Sequence, residues 1–113
     1  MTVPQSKFTV TLPTTDNATP PNALVAGQMT QLDFVVNGTT YSWPIPAATL
    51  PGAAVVVPFT ALTPVFVPVP GTAYTADAFA VDSLGNGLPS NSQAWTEVAA
   101  PTAPAAPTGF TVS

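Results

Sequence analysis

Apolar and polar residues alternate with a period of two in several short stretches of this chain, the pattern typical of strands with one buried face. In residues 7–12, Phe8 and Val10 alternate with threonines. Residues 74–82 alternate in the same way, and three alanines on one face leave room for large side chains from across a core. Residues 91–98 are predicted as a last strand. The pattern therefore predicts a protein built from strands that pack around one core.

The clearest local signal is the pair Asn37-Gly38 between residues 32–36 and residues 39–45. Asn-Gly favours a type I′ turn, in which both residues take a positive φ. The sequence therefore predicts a β-hairpin whose second arm carries Pro44. Proline has no N–H to donate to a second neighbour, so this arm is expected to lie at a sheet edge or to leave the sheet at Pro44.

Two later segments, residues 55–60 and residues 65–69, compete for one further strand. Both are rich in valine, which favours strands. Prolines surround the second segment, which would confine it to a sheet edge. One of the two is expected to be the strand that precedes residues 74–82 in the fold, and the alternation does not decide which.

The amino-acid composition predicts a protein surface with unusually few charges. Charged residues make up 5% of the chain, against about 25% in an ordinary soluble domain. Lys7 is the single cation and there is no histidine, so binding to nucleic acid or to an anionic membrane surface is poorly supported. A mean hydropathy of +0.37 indicates that part of the exterior is apolar and covered by other molecules. We therefore expect this chain to assemble.

The length of 113 residues corresponds to one domain. We expect a sandwich in residues 1–98, a Pro/Ala-rich linker in residues 99–107 and a strand-like segment in residues 108–113. No stretch approaches the ~20 apolar residues of a membrane span, and Met1 is interpreted as a native start without a secretory leader. The absence of cysteine excludes disulfides and leaves the compartment open.

Three segments resemble fibronectin type III domains of the bacterial and phage type. KFTVTLPTTDN resembles strand B and its loop, LDFVVNGTTY the C–C′ hairpin, and GTAYTADAFAVDSLGNGLPS the F–G region, within residues 7–98. The resemblance implies an all-β fold, a fibronectin type III or immunoglobulin-like sandwich of about seven strands. It also implies that Tyr74 is the corner tyrosine, whose hydroxyl bonds to the backbone between strands E and F. Leu12 stands where the family has a tryptophan, so the core packing is expected to differ.

One further segment departs from the order of the family. Residues 106–113, APTGFTVS, resemble strand A but come last, so the strands are predicted to run from B to G and then A. Three placements of this segment stay open: it folds back on its own strand B, it pairs with a neighbouring copy, or it is a linker toward another domain. An unpaired edge beside strand B is normally covered, so we expect a strand to pair there.

The sequence contains no recognisable set of catalytic residues. Without histidine or cysteine, a Ser-His or thiol nucleophile system cannot be built. Asp77 and Asp82 are five residues apart on one predicted strand and point to opposite faces. Residues 82–87 lack the repeated acidic ligands of a calcium loop, so an Asx turn at Asp82 is expected instead. We expect no enzyme activity, no cofactor and no metal.

The leading hypothesis from the sequence is a non-enzymatic structural protein of a bacteriophage virion, a capsid decoration or cement protein. Its expected partners are other copies of itself and a major capsid protein or another virion protein. The candidate interface residues are Phe8, Val10, Phe79, Phe110 and Val112. The alternative is a secreted bacterial fibronectin type III module for carbohydrate binding, adhesion or spacing. Its candidate glycan contacts are Tyr41, Trp43 and Trp95, although aromatic residues in so apolar a chain favour core or subunit contacts.

Overall fold

The protein is an all-β sandwich of two antiparallel sheets, with two and five strands. The structure is a computed structural model that describes residues 3–113. Its strands are β1 (Lys7–Thr11), β2 (Gln31–Val36), β3 (Thr39–Pro44), β4 (Ala54–Pro58), β5 (Ala73–Asp82), β6 (Gly85–Asn86) and β7 (Gln93–Thr96), and a 3-10 turn spans Phe59–Ala61. The predicted sandwich of about seven strands is confirmed.

β5 is the central strand of the larger sheet. Along one edge it pairs with β2, with Val81 opposite Gln31 and Ala76 opposite Val36. Its other edge pairs with β7 near the start of β5 and with β6 near its end. β3 pairs with the far edge of β2, which gives the order β3-β2-β5. The smaller sheet consists of β1 and β4.

The Asn37-Gly38 turn joins β2 to β3 as predicted. φ is 47° at Asn37 and 84° at Gly38, so both residues lie in the left-handed region that a type I′ turn requires. The Asn37 side chain also fastens the turn to β5. Its Nδ2 donates to the carbonyl oxygen of Ala73 at 3.1 Å, and its Oδ1 accepts from the N–H of Thr75 at 2.8 Å. β3 ends at Pro44 at the edge of the sheet, which confirms the placement predicted from that proline.

The competition between the two valine-rich segments is decided in favour of the first. Residues 54–58 form β4 on β1, whereas residues 65–69 belong to no strand. The second segment is an irregular connection between the two sheets, held by the buried side chain of Phe66. The N–H of Val69 donates to Tyr74 Oη at 2.8 Å. This is the backbone bond predicted for the corner tyrosine.

The core lies between the two sheets and in the loops that close their ends. β2 directs every second side chain into it, whereas β5 contributes the small side chains of Ala76 and Ala78. Phe34 lies opposite Ala78 in the register and is 2% exposed, so its ring occupies the space beside the alanines. The buried apolar residues are Leu12, Met29, Leu32, Phe34, Val36, Ile45, Val57, Phe59, Leu62, Phe66, Ala76 and Ala78.

The last strand is shorter than the predicted residues 91–98. Ahead of β7, the hydroxyl of Ser90 accepts the N–H of Ala78 at 2.9 Å, where a ladder carbonyl would otherwise bond. Ser90 also donates its own N–H to the carbonyl oxygen of Ala78 at 2.8 Å. The Ser90 hydroxyl thus takes the place of a backbone acceptor for the N–H of Ala78 in β5. Regular pairing between β5 and β7 begins only at Gln93.

Two substitutions of Asn37 separate its backbone role from its side-chain role. Asn37→Gly keeps the positive φ and loses both bonds to β5, so the free energy of unfolding is expected to fall by about 1 kcal/mol. Asn37→Ala also forces an alanine into the left-handed region, which costs about 1 kcal/mol more. Urea denaturation of the two variants measures the difference, and equal stabilities would contradict the backbone contribution.

Candidate functional site

A groove runs along β1, between that strand and β5 and β7 of the other sheet. We call it the β1 groove; it has a volume of about 570 Å³. Its apolar lining consists of Phe8, Val10, Phe34, Phe59, Ala76, Ala78, Ala94 and Trp95. A second hollow of about 430 Å³ continues it past Val10 toward Leu24, Met29 and Leu32. Polar side chains, among them Lys7, Thr9, Asp77 and Gln93, share the lining of the β1 groove. A groove with apolar and polar walls therefore follows the length of β1 on one side of the sandwich.

Phe8 forms the wall of this groove and packs against four other aromatic rings. Its ring centroid lies 4.6 Å from that of Phe34, 4.7 Å from that of Phe59 and 5.9 Å from that of Trp95. Phe8 and its neighbour Val10 are only partly buried, although both pack against the core. The groove therefore exposes the flank of the aromatic core to the exterior.

The backbone of β1 is unpaired on the side of the groove. Within residues 3–113, β1 pairs with β4 alone. Ser6 and Leu12, which flank β1, bond to the chain around β4. Alternate residues of an antiparallel strand direct their N–H and C=O groups to opposite edges, so those of Lys7, Thr9 and Thr11 point to the free edge. This edge is a template for another strand.

Residues 99–113 are exposed along their whole length and belong to no strand. Phe110 and Val112 are each 89% exposed. The chain has a radius of gyration of 19.7 Å, against about 13 Å for a compact domain of this length. We call residues 108–113 the tail segment. It projects away from the sandwich and does not pair with its own β1.

The structure separates the five candidate interface residues into three places. Phe8 and Val10 line the β1 groove, and Phe110 and Val112 belong to the tail segment. Phe79 lies on the outer face of the larger sheet and is partly buried. The sequence pattern placed each residue on a face of a strand, but only the fold shows that Phe79 is remote from β1 in the sheet order.

The three candidate glycan contacts pack against the core instead of forming an exposed row. Tyr41, Trp43 and Trp95 are all partly buried. The ring of Tyr41 lies 5.0 Å from that of Phe66, and the ring of Trp95 lies 5.2 Å from that of Tyr74. A sugar ring would therefore reach only the rims of these side chains.

The carboxylates have structural partners. Asp82 Oδ1 accepts the N–H of Leu84 at 2.8 Å, which is the predicted Asx turn. Asp77 accepts a hydrogen bond from the Ser92 hydroxyl. Among residues 3–113, no three His, Cys, Asp or Glu side chains come together as a metal site would require. The same part of the chain contains no helix with the length and hydrophobicity for crossing a bilayer.

Glu97 is a buried carboxylate that the sequence analysis missed. It is 3% exposed, and its Oε1 accepts the N–H of Gln5 at 2.9 Å. Its Oε2 has no hydrogen-bond partner within the described part of the chain. The bond to Gln5 fixes the start of β1 beside the end of β7. A lone glutamate gives no signal of such a long-range contact, so only the fold reveals it.

Asp16 organises the long loop between β1 and β2. Its Oδ1 accepts the N–H groups of Asn22 at 2.8 Å and of Ala18 at 3.1 Å, and its Oδ2 accepts from the Asn22 side chain at 3.0 Å. The bonds from Asn22, followed by that from Ala18, lower the pKa of Asp16 from its ordinary value of 3.8. Loop residues from this region line the far end of the second hollow.

Comparisons with protein-family models, with curated proteins and with solved structures found no match to this chain. The class defined by its geometry is an all-β sandwich with an open strand edge and a groove beside it whose floor is aromatic and aliphatic. The function is therefore inferred from these features of the chain itself.

Phe8 is expected to stabilise the core despite its position on the groove wall. Phe8→Ala should lower the free energy of unfolding by about 3 kcal/mol, because it removes a ring that contacts several others. Phe110→Ala is the control, since that exposed ring should change the stability by less than about 0.5 kcal/mol. Denaturation at low protein concentration measures both, and similar losses would contradict the assignment of Phe8 to the core.

The Asp16 loop is expected to loosen in acid. Because the folded-state pKa lies below the unfolded-state value, this carboxylate stabilises the loop fully above pH 3.8 and loses that effect as the pH falls through the lowered pKa. The protection factors of the Ala18 and Asn22 amides, which divide out the intrinsic pH dependence of exchange, should fall over this range when measured by NMR. In Asp16→Asn the protection should be lower at neutral pH and nearly independent of this titration. Unchanged protection factors in acid would refute the prediction.

Proposed function

We propose that this chain is a non-enzymatic structural protein of a bacteriophage virion, a capsid decoration or cement protein that assembles through sheet edges and apolar surface. The observation that carries the proposal is the exterior of the sandwich. Charged residues are 5% of the chain, while large apolar side chains stand exposed. Those outside the tail segment are Val3, Val25, Leu50, Val56, Val65, Val67, Val69, Leu84 and Leu88.

Such an exterior favours a crowded assembly over a free monomer. Each Å² of apolar surface removed from water contributes about 25 cal/mol, so contacts among many copies, or between copies and a shell, would stabilise the whole. Dense packing of uncharged surfaces also avoids the repulsion that a strongly charged subunit would meet at high copy number. The expected partners are other copies of this chain and a major capsid protein or another virion protein.

The strand order supports the resemblance to fibronectin type III and immunoglobulin-like domains. In such sandwiches strand B pairs with strands A and E in one sheet, while C, F and G share the other sheet. From this pairing we assign β1 and β4 to B and E, and β2, β5 and β7 to C, F and G, with β3 as C′. The free edge of β1 is then the place of strand A. The bond from Val69 to Tyr74 supports the same correspondence.

The secreted carbohydrate-binding module has less support. Its three candidate aromatics are engaged in the core, and the outer face of the larger sheet presents one aromatic ring, that of Phe79. Phe79 lies opposite Asp33, whose Oδ1 accepts from Ser42 Oγ at 2.8 Å and from Gln31 Nε2 at 2.6 Å. One isolated ring is a poor platform for a polysaccharide, which is usually bound by several.

The proposal is tested on particles of the phage whose genome encodes the chain. The protein is expected to sediment with gradient-purified particles in many copies, and particles from a deletion mutant should lose their DNA at a lower temperature. Added recombinant protein should bind the deletion particles saturably and restore their heat resistance.

Absence of the chain from purified particles would overturn the proposal. Binding of the recombinant protein to an insoluble polysaccharide, lost in Trp43→Ala or Trp95→Ala with the fold intact, would establish the alternative instead. Tyr41→Phe is a suitable control for that binding measurement, since it keeps the aromatic face.

A further inference from the structure

We propose that the β1 groove of one copy takes up the tail segment, residues 108–113, of a second copy as an added strand beside β1. Phe110 and Val112 would enter the groove, and the backbone of the tail segment would bond to the free edge. This inference rests on the proposed function only for the idea that copies assemble.

β1 is the edge best suited to receive a strand. The edge strands β3 and β4 each contain a proline, which lacks an N–H, and β6 has two residues. β7 has four residues and is therefore a short template. β1 has five residues without proline. It is also the strand that borders the β1 groove, so added backbone bonds and added side-chain burial would occur together.

The tail segment matches this edge in pattern and in charge. Phe110 and Val112 are two residues apart, so they share one face of an extended strand, and Thr111 faces the other way. No proline follows Pro107, which leaves every N–H of the segment available for pairing. The segment carries no charged side chain. The groove lining contains Lys7 and Asp77, one charge of each sign, so an uncharged strand meets no net repulsion there.

The linker makes a second copy the better acceptor than the same copy. The chain leaves the sandwich after Glu97, beside Gln5 and the start of β1. From there, residues 99–107 contain three prolines and no glycine, and would span about 28 Å in an extended polyproline path. β1 spans only about 17 Å. An extended linker thus carries the tail segment beyond its own β1, and a return would require a sharp reversal in a stiff stretch.

Cysteine pairing between separate copies tests the proposal directly, because the chain has no cysteine of its own. Thr9 points outward from β1, and Thr111 would point outward from the added strand beside it. Adjacent strands bring Cα atoms to a distance that a disulfide can bridge. Purified Thr9→Cys and Thr111→Cys variants of the full chain are mixed and oxidised mildly, and the products are identified by mass spectrometry.

The expected result is a heterodisulfide between the Thr9→Cys and Thr111→Cys variants that exceeds the two homodisulfides by about tenfold. Docking raises the effective concentration of one thiol at the other. If the thiols met only by random collision, the heterodisulfide and the two homodisulfides would form in statistical proportions. The control replaces Thr9→Cys by Thr40→Cys, an exposed threonine on the edge strand of the other sheet, and should yield the random mixture. A random mixture with Thr9→Cys would overturn the proposal.

The double variant Thr9→Cys/Thr111→Cys distinguishes exchange from folding back. If it closes within one chain while the mixed single variants stay unlinked, the tail segment belongs on its own β1 and the proposal is wrong. Native mass gives a second readout. Phe110→Asp/Val112→Asp should reduce the assembly to monomers with an intact sandwich, whereas Thr40→Asp, at an exposed residue of β3 outside the β1 groove, should leave it unchanged.

Failure of this inference and failure of the proposed function produce different results. Particles that contain the chain in many copies, together with a random disulfide mixture, would retain the virion assignment and remove the strand exchange. A dominant heterodisulfide in a protein absent from particles would retain the exchange and remove the virion assignment.

Discussion

The backbone's requirement for hydrogen-bond partners governs this structure, and prolines determine where the requirement can be met. The chain has 15 prolines, and none lies in the strands β2 and β5 that pair on both edges. Pro44 and Pro58 end the edge strands β3 and β4, and the proline-rich residues 65–69 form no strand. β1 is a proline-free edge strand of five residues. It therefore keeps a set of backbone groups that no strand of residues 3–113 pairs with and that an added strand can satisfy.

The open edge and the groove beside it have a common origin. Two strands are too few to cover a sheet of five, so the aromatic cluster around Phe8 is shielded on one side by β4 and left accessible on the other. A third strand on the smaller sheet would cover the aromatic cluster and would also pair with the free edge of β1. The tail segment provides a strand of suitable pattern, carried outward on a stiff linker. Assembly and completion of the core would then be one event.

Local chemistry allowed much of the fold to be predicted. The turn at Asn37-Gly38 and the Asx turn at Asp82 each depend on neighbouring residues, and the structure contains both. The bond between Tyr74 and the backbone was expected only from the resemblance to fibronectin type III domains, and the structure contains that bond too. The start of β7 was predicted less well, because the Ser90 hydroxyl replaces a ladder carbonyl, which alternation does not reveal. Within the candidate site, the alternation with a period of two predicted that Phe8 and Val10 share one face of a strand. It could not predict that Phe79 lies in the other sheet, far from these two residues.

The sequence by itself determined the class of fold, the hairpin and the edge position of β3, because these follow from residue types and from spacings of a few residues. Only the tertiary structure decided that residues 54–58 pair with β1, that Glu97 holds Gln5, and that a groove opens beside β1. Those features join residues far apart in the chain. Their energies depend on which surfaces meet, and no local pattern specifies that.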